Sequence, residues 1–261
     1  MAAGLVNVVL PGQCRLDFVS TTELTLSRFQ GKWLSVKVGS DWIAHEIPSA
    51  GVDLANTGLA ANTDHYVYAF DSGGTLTLEA STTGYAVDAD TGVKIKSGDA
   101  TRTLVGFART GAGTPGVFQA QGLGTLSLFN RRNVKVENKG TTYGSVAGSF
   151  PAGAEVNTAF RQHFVSWADD KPHAYINCSG GSNGGADNVM ALARDTSVLE
   201  QEYCGTGVAH FGAIHLSSYV DGAETDHYIT IYAGSSSTIY VNGNQTANQG
   251  TTATVAVVVQ G

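Results

Sequence analysis

Alternation is the feature that most constrains this chain. Apolar and polar residues exchange at every second position in one short run after another, with glycine-rich punctuation between the runs. Successive side chains of a strand point to opposite faces, so each run reads as a strand with one face buried. Trp33-Leu-Ser-Val36-Lys-Val38 and Trp42-Ile43-Ala-His45-Glu-Ile47 flank Gly39-Ser-Asp41, and together they predict a hairpin. His65-Tyr66-Val67-Tyr68-Ala69-Phe70 has the aromatic and β-branched residues that strands favour, and Asp71-Ser-Gly73-Gly74 turns it into Thr75-Leu76-Thr77-Leu78-Glu79. The second half repeats this grammar in His173-Ala-Tyr175-Ile176-Asn-Cys178, in Val208 to Leu216, and in His227-Tyr228-Ile229-Thr230-Ile231-Tyr232. It closes on Thr238 to Val241, the Asn242-Gly243 turn signal, and Thr254 to Val259.

The 33 glycines among 261 residues exceed the usual share of about 7% and supply the positive φ that tight turns need. Helical spacing is weak everywhere. Its best window, Asp187 to Gln201, places Met190, Leu192, Ala193 and Leu199 only imperfectly on one face. The expected fold is therefore all-β, with roughly fourteen short strands in two antiparallel, jelly-roll-like β-sandwich modules in tandem. The change of texture between Asn138 and Pro151 sets the expected modules at 1–142 and 143–261.

Charge removes several function classes. Affinity for nucleic acid rests on Lys and Arg neutralising phosphates. Here 15 basic residues are scattered through a chain of net charge −7, and the same balance argues against an anionic membrane surface. No run approaches about 18 apolar residues, so no membrane span is expected. Met1-Ala-Ala-Gly lacks the basic start of a signal peptide, which points to assembly in a cytoplasm. Cys14, Cys178 and Cys204 are an odd set, expected as buried free thiols, with a Cys178–Cys204 bridge as the alternative.

One stretch carries a resemblance. Pro11-Gly-Gln-Cys-Arg15-Leu16, the strand-turn-strand from Trp33 to Trp42, and Asn62-Thr63-Asp64-His65-Tyr66-Val67-Tyr68-Ala69-Phe70-Asp71 come first. Gly74 to Glu79, Gly92 to Asp99, Thr101 to Phe107 and Leu126-Ser127-Leu128-Phe129-Asn130-Arg131-Arg132 complete it. From Pro11 to Arg132 the chain resembles a β-rich module of tailed-bacteriophage virion proteins, among them head-decoration, head-fibre and tail-fibre proteins. The resemblance implies a structural role on the virion surface and assembly as a homotrimer. It implies no reaction, and it fades after Asn133.

No residue set rises to a catalytic, cofactor or metal site. The histidines (His45, His65, His163, His173, His210, His215 and His227) form no ligand spacing, because two residues five apart on a strand face opposite ways. A glycan-cleaving pair of acids would have to come from Asp169 and Asp170, or from Asp221, Glu224 and Asp226. Each lies beside Gly or Pro, where Asp serves turns. The calcium-loop spacing, the nucleophile elbow and a phosphate-binding glycine loop are all missing, and Ser179 to Gly185 reads as a flexible loop. Trp33, Trp42 and Trp167 sit inside alternating strands and are expected in the core. Tyr143 and Tyr219, next to turns, are better placed to touch a partner.

The expected function is thus a non-enzymatic virion structural protein. The first reading is a capsid decoration, or cement, protein that binds the major capsid protein or other virion proteins and stabilises the shell by mass action. The second is a tail-fibre or receptor-binding protein whose C-terminal module recognises a host surface glycan through polar loops. Both ends are apolar. Leu5 to Leu10 reads as an arm to the particle, and Thr254 to Val259 as a strand with its open side near a subunit contact or a neighbouring module.

Overall fold

A computed structural model describes residues 9–10, 12–140, 144–148, 153–182, 187–206, 211–241 and 253–260. The described residues form twenty-three strands and one 3-10 turn, Thr158–Phe160, with no α-helix, and the strand pairings of defined register are antiparallel. The all-β expectation holds. The strand total is larger than expected because several strands are only two or three residues long. The chain divides into two compact units, Met1–Asn133 with Gln260–Gly261, and Val134–Val259.

In the first unit, β1 (Cys14–Ser20), β2 (Glu23–Arg28) and β5 (Val52–Ala55) make one sheet, in the order β1-β2-β5. β3 (Trp33–Val38) and β4 (Asp41–Glu46) form the expected hairpin, closed by Gly39 at a φ of 62° and Ser40. The largest sheet runs β7-β6-β10-β9-β8. Its strands are β6 (Asp64–Ser72), β7 (Thr75–Ser81), β8 (Tyr85–Val87), β9 (Lys94–Lys96) and β10 (Asp99–Gly111). β11 (Val117–Phe118) and β12 (Thr125–Ser127) also pair with β10. The β6–β7 turn is Gly73-Gly74, with both φ values positive, and its Gly74 amide donates to the Asp71 carboxylate at 3.0 Å. A two-residue hairpin loop of this type needs φ above zero at both positions, which the paired glycines supply without strain. Between the layers lie Leu16, Leu24, Leu26, Leu34, Val36, Val67, Ala69 and Val105, none more than 1% exposed. Gly106 sits where layers come closest, since a Cβ there would lie 2.4 Å from Leu16 and 2.6 Å from the Leu126 carbonyl.

The second unit has two facing sheets. One runs β13-β23-β17-β22-β14, built from β13 (Asn133–Gly140), β14 (Gly144–Ala147), β17 (His173–Ser182), β22 (Thr238–Val241) and β23 (Ala253–Gln260). β20 (Phe211–Tyr219) lies on the other side of β17. The second sheet runs β15-β21-β18-β19, with β15 (Ala154–Glu155), β18 (Asp187–Arg194), β19 (Ser197–Thr206) and β21 (His227–Ser235). β16 (Gln162–Phe164) also pairs with β21. Phe160, Phe164, Trp167, Ile176, Met190, Leu192, Ile229, Ile231 and Val257 fill the space between, each at most 1% exposed.

Three expectations change here, and the weak helical window resolves. The junction falls at Asn133–Val134 rather than 142–143, because β13 belongs to the second unit's sheet beside β23. The window from Asp187 is no helix but the β18–β19 hairpin. Asn188 to Ala193 are buried on both strand faces, so the alternation that would have marked a strand is erased. Gly180 and Gly181 belong to β17 and pair with Val241 and Tyr240, so the expected Ser179–Gly185 loop is in part strand. Finally, β23 has no open side. It lies between β13 and β17, with Ala253, Val255, Ala256, Val257 and Val259 at most 1% exposed. Residues 5–8, Tyr143, His210 and Asn242-Gly243 lie outside the described residues.

Sheet edges are managed by charge. On edge strand β13, Glu137 pairs with both Lys135 and Lys139. On β20 the Ser217 amide, facing away from β17, donates to the Glu200 carboxylate at 3.0 Å. The first lines an edge with charged side chains, and the second occupies a backbone donor that would otherwise template another chain.

Candidate contact surface

Three of the acids considered for hydrolysis, Asp170, Asp221 and Asp226, make hydrogen bonds or ion pairs within the fold. Asp170, 6% exposed, accepts from the Trp167 amide at 3.3 Å, and its own amide donates to the Trp167 carbonyl at 3.0 Å. Asp221 pairs with Lys171, and Asp226 with His163 Nδ1 at 3.0 Å. His227 Nδ1 lies 2.7 Å from Asp195, and His45 Nε2 lies 3.2 Å from Asp71. His65 is 4% exposed, and burial holds its imidazole below the ordinary range. Among the described residues no three of His, Cys, Asp and Glu converge as metal ligands. Among the described residues no helix is long and apolar enough to cross a membrane. All three cysteines are free; Cys14 and Cys178 are buried as expected while Cys204 is partly exposed, and burial pushes each thiol up to about 12.

One buried-edge cluster in the second unit is electrostatic. Arg161 donates to both Glu155 oxygens at 2.8 and 2.7 Å, and the Thr230 hydroxyl donates to Oε1 at 3.0 Å. The Arg161 hydrogen bonds, with help from Thr230, hold the Glu155 carboxyl below its ordinary value of 4.5. A carboxyl lowered in the folded state stabilises the fold above its ordinary value and ceases to do so as pH falls through the lowered one. Glu155→Gln is expected to destabilise the second unit by about 1–3 kcal/mol at neutral pH. The gap from the unmodified chain should narrow in denaturant titrations below about pH 4. A gap unchanged between neutral and strongly acidic pH would assign the effect to packing.

The tryptophans are core residues in two of three cases. Trp167 is fully buried and Trp42 is 7% exposed, whereas Trp33 is half-buried with the Lys32 ammonium 5.0 Å from its ring. The exposed aromatics lie elsewhere. Tyr219, 70% exposed, is the most exposed large apolar side chain among the described residues.

Tyr219 stands at one end of a row of rings on the outer face of the second unit's six-stranded sheet. Alternation places His173, Tyr175 and Asn177 of β17 outward, while Ala174, Ile176 and Cys178 are buried. On β20 the outward residues are His215, Ser217 and Tyr219, and Ile214 and Leu216 are buried. The register sets Tyr219 opposite His173 and His215 opposite Asn177. Ring centroids are 5.0 Å apart for Tyr219 and His173, 6.2 Å for His173 and Tyr175, and 6.0 Å for Tyr175 and His215. His215 Nδ1 lies 2.7 Å from Asn177 Oδ1, which fixes that ring, and the Lys135 ammonium stands 5.6 Å from the Tyr175 ring. The contact role expected of Tyr219 therefore has neighbours that the sequence does not announce. His173 and Tyr175 are legible as outward positions, but their partners on β20 depend on a register set some forty residues away.

Known proteins add little. No protein-family model matches the chain, and no curated protein sequence matches it. Among solved structures, dimeric latent PorU from Porphyromonas gingivalis is similar over 97% of this chain and 21% of its own, at 10% identity and a TM-score of 0.31. The insecticidal delta-endotoxin Cry8Ea1 from Bacillus thuringiensis covers 95% of this chain and 52% of its own, at 8% identity and a TM-score of 0.26. The VP2 subviral particle of infectious bursal disease virus covers 96% and 73%, at 9% identity and a TM-score of 0.26. This chain thus spans about a fifth of the PorU chain and about half of Cry8Ea1. Scores this low establish neither family nor role.

Proposed function

We propose that the chain is a structural protein of a tailed-bacteriophage particle, carried on the virion surface as a homotrimer and acting as a capsid decoration protein. One observation carries the reading. The residues that resemble phage virion modules, 11–132, fall inside a single compact unit that ends at Asn133. A likeness that coincides with a folding unit is what an appended module would give. The all-β build with charged edges suits a protein that must stay soluble before it docks. Binding only the assembled shell would stabilise it by mass action.

The test is copy number in purified particles of the phage that encodes the chain. Densitometry should find it near-stoichiometric with the major capsid protein, and light scattering of the free protein should give a trimer mass. Absence from purified virions would overturn the reading. The exposed row of rings favours a second reading, a tail-fibre or receptor-binding protein, for which the same gel would show far fewer copies than capsid subunits.

A further inference from the structure

We propose that the outer face of the second unit's six-stranded sheet binds a neutral oligosaccharide, with Tyr219 and Tyr175 as stacking platforms. The proposal deepens the receptor-binding reading and rests on it only for the source of the sugar.

The starting point is an imbalance in what these rings do for the fold. Cross-strand aromatic pairs stabilise a sheet by covering one another and the strands beneath. A tyrosine that leaves 70% of its surface in water covers little. Its ring, with His173, Tyr175 and His215, instead forms a line of rings spaced 5.0 to 6.2 Å across two neighbouring strands, each tilted by 37° to 46° from the next. The surface beside Tyr175 is kept low, because its register partner on β23 is Ala256. Ala256 is itself fully buried and the Lys135 ammonium stands 5.6 Å from the Tyr175 ring, so Tyr219 is the more open of the two platforms.

The chemistry of the face selects among occupants. Aromatic faces carry negative quadrupole density and attract polarised C–H groups, which the flat sides of a sugar ring present. Around the rings stand Asn177, Ser217 and Thr254, neutral groups that donate and accept hydrogen bonds, as hydroxyl-rich ligands require. Lys135, beside the Tyr175 ring, is paired with Glu137, Lys171, two residues before His173, is paired with Asp221, and the whole chain carries −7, so an anionic polymer meets no surplus positive charge. A second copy of this chain is disfavoured by composition. Protein interfaces have a largely apolar core, and among the outward positions of β17, β20 and β23 whose exposure is described, Val258 is the only aliphatic residue not fully buried.

The experiment uses the full chain and a panel of maltohexaose, cellohexaose, mannohexaose and N-acetylchitohexaose. Binding is read by saturation-transfer NMR and quantified by calorimetry. At least one sugar should bind the unmodified chain. Tyr219→Ala and Tyr175→Ala should each weaken that binding about tenfold. Tyr219→Phe, which keeps the ring, should retain it. Tyr203→Ala, removing a 54% exposed ring from the opposite sheet, should leave it unchanged. Unaltered circular dichroism of the variants confirms that they fold. The proposal fails if no panel sugar binds up to about 10 mM, if Tyr219→Ala binds as well as the parent, or if Tyr203→Ala weakens binding equally. It also fails if Tyr219→Ala instead abolishes self-association in sedimentation, which would give the face to a second copy. Binding is measured on the isolated protein, so its failure is separate from failure of the copy-number test.

Discussion

Removing residues 253–261 is expected to unfold the second unit outright. The lost strand, β23, is not a fringe of its sheet. It pairs with β17 from His173↔Val258 to Asn177↔Thr254 and has β13 on its other side. Its deletion strips the ladder partners from two strands and removes the buried side chains of Ala253, Val255, Ala256, Val257 and Val259 from the core. Backbone groups left unpaired inside a protein cost about 1–3 kcal/mol each, and a domain's whole stability is only about 5–15 kcal/mol. A few orphaned groups therefore exhaust it before the lost apolar burial is considered. The readout is intrinsic fluorescence. Trp167 is the single tryptophan of the second unit, while Trp33 and Trp42 belong to the first. In a Trp33→Phe, Trp42→Phe background, truncation should shift Trp167 emission to that of a solvent-exposed indole and make the unit a ready protease substrate. A truncated chain that keeps buried Trp167 emission would show that β13 and β17 close the gap by pairing directly.

What the sequence reveals and conceals follows from where water is. The hairpin from Trp33 to Glu46 and the β6–β7 turn are legible because one face of each strand is wet and the turn residues are dictated by local φ. β18 is not, since Asn188 to Ala193 are buried on both its faces and a strand buried on both sides has no period. The module junction is misplaced for a different reason. Val134-Lys135-Val136-Glu137 alternates like any strand, and nothing within it states that its partner lies beyond residue 250. Long-range pairing is chosen by the sum of both faces' burial, not by the segment. The contact face shows the same division. The outward positions of β17 are written in its alternation, while the row of rings exists only because the β17–β20 register sets Tyr219 beside His173.

Truncating the buried tryptophan should be nearly as damaging as truncating the chain. Trp167 ends a run, Phe164 to Trp167, in which every residue is fully buried. The chain then turns sharply, with the Asp170 carboxylate capping the Trp167 amide and the Gly222 amide donating to the Asp170 carbonyl at 3.1 Å. Gly222 fits there because it has no side chain, as a Cβ would lie 1.9 Å from the Trp167 carbonyl oxygen. The indole is thus the apolar plug of a tight three-way crossing that cannot collapse inward to fill a void. Large-to-small changes cost most where the site cannot relax, and Trp→Ala typically costs about 3–5 kcal/mol. Trp167→Ala is expected to reach that range and to lower the melting temperature of the second unit by roughly 10–20 °C. Trp167→Phe, which keeps most of the ring, should lose clearly less. With Trp33 and Trp42 as the remaining fluorophores, the first unit's transition should stay where it is. If Trp167→Ala cost under about 1 kcal/mol, the ordinary range of a surface change, the crossing would have to be repacking around the void, and the close fit at Gly222 would not be limiting the fold.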